Sequence, residues 1–285
     1  MIGFALAVVA LANLSSASLA AAAGDPKHGE YVVRVGGCMG CHTEDKKGAV
    51  PFAGGRALKT LFGTFYGPNI TPDPKAGIGQ WTETDFVRAL RYGQRPDGAN
   101  FLPVFPYLSF TKIKDSDLRD IWAYLRTLPP SSRANQPHEP RFPFGWRLLV
   151  TPWKWLFFTP GPFVENKQRT PVLDRGAYLV EALGHCGECH TPRNFLGGPK
   201  RDRLLVGGKG PDGKRVPNLT PTKLKNWNDR ELKEFLLTGT TPDDDAANET
   251  MDEVIRNTTS RLTPEDLAAL IAYLRSLPPL ADEPR

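Results

Sequence analysis

Cys38-Met39-Gly40-Cys41-His42 returns later in the chain as Cys186-Gly187-Glu188-Cys189-His190, and these two copies hold all four cysteines. Two thiols separated by two residues and followed directly by histidine suit thioether bonds to both vinyl groups of one porphyrin, with the histidine beneath the iron. The pattern predicts two covalently bound haem c groups. Cys38 and Cys41 would hold the first and Cys186 and Cys189 the second, with His42 and His190 as proximal iron ligands. Other uses of paired cysteines fit less well. Structural disulfides are not usually spaced as C-x-x-C-H twice over. The stretch between the pairs is far longer than a zinc module allows. A thioredoxin-like pair would need a βαβ pattern around it, and none is visible.

Outward from the two motifs, the chain is written twice. Gly29-Glu30-Tyr31-Val32-Val33 leads into the first motif and Gly176-Ala177-Tyr178-Leu179-Val180 into the second. Phe52-Ala53-Gly54-Gly55 matches Leu205-Val206-Gly207-Gly208, and Pro68-Asn69-Ile70-Thr71-Pro72 matches Pro217-Asn218-Leu219-Thr220-Pro221. Trp81 and Gly93 match Trp227 and Gly239, and each half closes on Ala-Tyr-Leu-Arg, at Ala123–Arg126 and Ala272–Arg275. The halves are predicted as domains at 24–130 and 170–285, joined by a linker at 131–169. Thr82 with Asp85, and Asn228 with Glu231, read as capping boxes. Phe86, Ala89 and Leu90, like Leu232, Phe235 and Leu236, share one helical face. Thr263 followed by Pro264 opens a last helix that Pro278 ends. Strand-like alternation is almost absent, so the fold class is all-α, a few short helices around each haem.

Residues 2–12 are an apolar run followed by serines and the small residues of 19–23, which reads as a signal peptide over 1–23, although no Lys or Arg precedes it. Export agrees with covalent haem attachment, so the predicted location is the periplasm. The net charge of +5 is modest and suits an acidic protein partner or anionic lipid better than nucleic acid. The 131–169 segment is rich in proline, aromatics and basic residues: Phe142, Phe144, Trp146, Trp153, Trp155, Phe157 and Phe158 stand among Arg141, Arg147 and Lys154. It reads either as a linker packing its aromatics between domains or as a surface for a partner or the membrane interface at 142–160.

The second axial ligand distinguishes the halves. A thioether is the usual sixth ligand of an electron-transfer haem c, and the chain has only Met1, Met39 and Met251. Met39 lies inside the first attachment loop. Met251, expected in a loop ahead of the last helix, is the candidate for haem 2. It stands 24 residues after Trp227 and 12 after Gly239, and the same counts from Trp81 and Gly93 reach Phe105. Phenylalanine offers iron no lone pair. Haem 1 is therefore either open on its distal side or ligated by a neighbour such as Tyr107, Lys112, His28 or His138.

These motifs, with Gly77-Ile78-Gly79-Gln80-Trp81 and the run His185 to Asn194, resemble the multihaem cytochrome c subunits of bacterial membrane-bound dehydrogenases that oxidise alcohols, aldehydes or gluconate. The resemblance runs from about Asp25 to Pro279. It implies two tandem cytochrome c domains and electron flow from a dehydrogenase subunit to a quinone or downstream respiratory acceptor. Such a subunit is a redox relay more than an enzyme in its own right. Relatives commonly carry three haem domains, and carry Met where Phe105 stands. That departure supports the competing expectation, a haem enzyme or ligand-binding protein using an open haem 1 for peroxide, NO or sulfur-compound chemistry, fed by haem 2.

Overall fold

The structure, a computed structural model, describes residues 23–210 and 212–283, so the expected signal segment falls outside it apart from Ala23. Helix α1 (Pro26–Val35) starts on Asp25, whose carboxylate accepts from the Lys27 amide. A single turn, α2 (Cys38–His42), is the first attachment motif itself. A hairpin of β1 (Ala57–Thr60) and β2 (Gly63–Tyr66) follows, then α3 (Glu83–Tyr92), α4 (Tyr107–Phe110) and α5 (Asp115–Thr127). The linker adds β3 (Glu139–Pro140), paired to β2, and α6 (Val150–Phe157). The second half comprises α7 (Pro171–Tyr178), α8 (Gly187–His190), the two-residue pair β4 (Gly208–Lys209) and β5 (Arg215–Val216), α9 (Pro221–Leu224), α10 (Asp229–Thr238), α11 (Glu249–Asn257) and α12 (Pro264–Ser276). The fold is helical as expected, and both capping boxes form with their reciprocal bonds. The hairpin was not foreseen. Its strands are four residues each, too short for a period of two to stand out.

In each half the first and last helices cross closely, and the repeated glycine makes this possible. A Cβ on Gly29 would come within 1.9 Å of the Asp120 carbonyl oxygen, and one on Gly176 within 2.1 Å of that of Ala269. No side chain fits there. The halves differ by one residue between this glycine and the first haem cysteine: nine positions from Gly29 to Cys38, ten from Gly176 to Cys186. The extra residue is absorbed by a π turn at Leu179–Leu183, continuous with α7 and closed by the Gly184 amide on the Leu179 carbonyl at 2.7 Å. His185 then occupies the place of Gly37, in the same left-handed conformation, φ 40° against 63°.

The two halves share a core, in which Val32, Phe86 and Leu118 join Tyr178, Leu183 and Leu267. Across this contact a polar pair is made twice with roles exchanged. The Tyr31 hydroxyl donates to Asp266 at the start of α12 at 2.5 Å, and the Tyr178 hydroxyl donates to Asp117 at the start of α5 at 2.5 Å. Each tyrosine oxygen also accepts a backbone amide, from Thr263 and Lys114 respectively. The molecule thus has an approximate two-fold relation.

The linker divides between its two readings. Trp153 donates to the Leu196 carbonyl at 2.9 Å, Phe157 lies against Gly198, and Phe158 meets Tyr107 edge-on at 5.1 Å. Phe142, Leu148 and Trp155 instead stay 77%, 88% and 80% exposed, with Trp146 beside them. Among the described residues, no helix is long and apolar enough to cross a membrane.

Candidate haem centres

The same cradle surrounds both attachment motifs. His42 Nδ1 meets the Pro68 carbonyl at 2.7 Å, and His190 Nδ1 meets that of Pro217 at 2.8 Å. A carbonyl can only accept, so Nδ1 carries the proton and Nε2 is left with a free lone pair, the state a metal-binding imidazole needs. The His42 carbonyl accepts from Gly54 at 2.8 Å and the His190 carbonyl from Gly207 at 2.7 Å. Thr43 and Thr191 hydroxyls accept from Phe52 and Leu205, which share a left-handed φ of 62°. Asn69 and Asn218 cap the Thr71 and Thr220 amides at 2.9 and 2.7 Å. The Asn69 amide also ties the cradle to Ser131, as that of Asn218 does to Leu280.

All four cysteines are free thiols and only partly exposed. Burial pushes Cys38 and Cys186 up to about 12, and Cys41 and Cys189 to about 11. Neutral thiols beside a lone-pair imidazole are the groups that thioether attachment and iron ligation require. Buried donors also await an acceptor among the described residues: Arg56 Nε, Arg133 Nε and the Tyr107 hydroxyl. A porphyrin, with its two carboxylates, is chemically suited to such arginines. The residues present fit a haem in each half.

The distal loops keep register before they part. Phe101 donates to the Gly93 carbonyl at 2.9 Å as Ala247 does to that of Gly239 at 2.8 Å, and the Arg95–Ala99 bond recurs as Thr241–Asp245. Phe105 and Met251 therefore stand at the same count beyond a shared set of backbone bonds. Met251 is not in a loop, however. Asn248 accepts from its amide at 2.9 Å and starts α11, so Met251 sits in that helix's first turn. Phe105 lies among Phe101, Phe110 and Tyr107, with ring centroids 5.3, 5.8 and 6.4 Å away.

Three of the other candidates for haem 1 have partners of their own. Lys112 pairs with Glu181 at 2.6 Å, His28 with Asp120 at 2.8 Å, and His138 accepts from the Tyr66 amide. Tyr107 is fully buried, its ring pressed on Gly93. His185 packs edge-on against Phe110 at 5.3 Å and faces Gly37, placing it between the halves. Asp243, Asp244 and Asp245 are exposed, as an acidic loop should be.

The cytochrome c family model matches residues 27–129 and again 173–278, one match around each motif. The chain belongs to the cytochrome c family. This cytochrome is 46% identical to a diheme cytochrome c-type protein of Cereibacter sphaeroides over 259 residues, covering 90% of this chain and 86% of that one. It is 36% identical to the gluconate 2-dehydrogenase cytochrome c subunit of Pantoea cypripedii and 37% identical to the alcohol dehydrogenase (quinone) cytochrome c subunit of Gluconobacter oxydans. Both matches cover 88% of this cytochrome but only 59% and 54% of those longer subunits. Its cofactors are two haem c groups, and its role is electron transfer.

Proposed function

We propose that this cytochrome is a periplasmic relay that accepts electrons from a dehydrogenase subunit and passes them to a quinone or another respiratory acceptor. Each haem supplies a one-electron Fe(III)/Fe(II) couple. Cys38, Cys41 and His42 hold the first, and Cys186, Cys189, His190 and Met251 the second. The domains are those bounded at 24–130 and 170–285. The reading is carried by the paired attachment turns, each with its histidine tautomer fixed by a proline carbonyl, set in two halves that share one core. A potentiometric titration tests it: two one-electron waves from two covalent haems per chain support a relay, and a single haem or none overturns it.

The exposed aromatics at 142–160 give the relay a membrane-surface contact. Arg141, Arg147 and Lys154 are bound to main-chain carbonyls of Leu61, Asn100 and Tyr92, leaving their charge uncancelled by a carboxylate among the described residues. Trp and Phe beside basic side chains suit the headgroup region of an anionic bilayer. The register of Phe105 with Met251 favours a second reading for haem 1 alone, as a site where a small ligand such as peroxide, NO or a sulfur compound binds the iron.

A further inference from the structure

We propose that Arg56, in the half that carries haem 1, is the positioning residue for Met251, the sixth ligand of haem 2. The inference rests on the reading of Met251 as that ligand. Residues two apart on a helix point to nearly opposite sides, so α11 turns Met251 one way and Glu253 the other. The Glu253 face lies on the first attachment turn. A Cβ on Gly40 would stand 3.5 Å from Glu253 Oε1 and 3.7 Å from Asn257 Nδ2, and Asn257 lies one helical turn beyond Glu253. Arg56 closes this contact, with Nη2 on Glu253 Oε2 at 2.7 Å and Nη1 on Asp45 Oδ2 at 2.6 Å. The Arg56 and Glu253 side chains are 19% and 28% exposed, so water screens the pair only in part.

A helix of nine residues has little stability of its own. This one enters from the exposed loop that contains Asp243 to Asp245, and it is held by Ile255 in the core on one side and by the first attachment turn on the other. The other half ties its matching segment down differently, with the Ser109 hydroxyl donating to Glu188 of the second attachment turn at 2.8 Å and Arg193 paired to the same carboxylate at 2.6 Å. Lys209, exposed, stands where Arg56 stands, and Tyr107 where Glu253 stands. The arginine–carboxylate form of the tie is found, among the described residues, on the side that carries the sulfur.

Ferric protein with both haems attached provides the test, read through the weak far-red Met–Fe(III) band, the haem 2 midpoint potential and the affinity for imidazole, which displaces a loosely held thioether. Arg56→Ala should weaken the band, lower the potential and tighten imidazole binding about tenfold, the effect of losing one charged hydrogen bond. Arg56→Lys should fall between it and wild type. Glu253→Gln, which keeps the shape of the side chain, gives the same reading if Arg56→Ala does not accumulate. Band, potential and imidazole affinity unchanged in both Arg56→Ala and Glu253→Gln would overturn the inference, while loss of the band in Met251→Ala would leave the ligand assignment standing. A band that survives Met251→Ala would remove the assignment itself.

Discussion

Phe105 fills the position at which its counterpart, Met251, offers a thioether. In the ferrous protein, CO should therefore bind one haem per chain, and Phe105→Met should abolish that binding while converting haem 1 to low spin. Wild type that is already CO-inert would show that another side chain closes the site, with Tyr107, whose buried hydroxyl has no partner among the described residues, the first to test. Covalent attachment is checked separately. After denaturing electrophoresis, haem stain should remain with the chain, and Cys38→Ala with Cys41→Ala should remove half of it, as should Cys186→Ala with Cys189→Ala. At this scale the sequence was most legible, because thiol and imidazole chemistry permits so few substitutes. Arg56 and Glu253 were not legible, since they lie 197 positions apart and neither belongs to a repeated motif.

The helices that meet between the halves give a measurable pH profile. Burial pushes the Asp266 carboxyl up, but the donors on Arg175 and Tyr31 outweigh it and hold it below the usual range. Its contribution is present above the unfolded carboxylate value of about 4 and is lost as pH falls through the lower folded value. Burial raises Tyr31 from 10.0 to about 12, helped by Asp266. Its contribution is complete below 10.0 and is lost as pH rises through about 12. Urea midpoints should thus form a plateau between these limits, and Tyr31→Phe should soften the alkaline limb. The two tyrosines should also differ. Asp266 keeps two bonds from Arg175 at 2.7 Å, whereas among the described residues buried Asp117 has only a long one from Ser116 once Tyr178 is gone. Tyr178→Phe should cost about 2–3 kcal/mol and Tyr31→Phe about 1 kcal/mol. Helix starts could be read from Thr82, Asn228 and Thr263 because capping is local. The start of α11 on Asn248 was missed, as no capping-box acid stands three residues beyond it. The π turn was hidden too, since a single inserted residue alters no periodicity that a short helix displays.

For the molecule as a whole, the open question is how it meets its surroundings. Vesicles containing anionic lipid should retain the protein, neutral vesicles should not, and added salt should release it. Replacing Trp146 and Trp155 together by alanine should weaken retention roughly tenfold, with the haem spectra unchanged. Retention equal to wild type would leave the patch to a protein partner. The sequence showed this segment to be basic and aromatic, but which rings face inward depends on the path of α6 across both halves, a long-range property that composition does not encode.

The exchanged tyrosine–aspartate pairs also bear on how the protein is made. Each half bonds its first helix to the last helix of the other. Each half therefore reaches its full set of buried bonds only when the other is folded beside it. A chain that misses one attachment thus carries the fault into both halves, and limited proteolysis should cut it sooner than wild type in each of them.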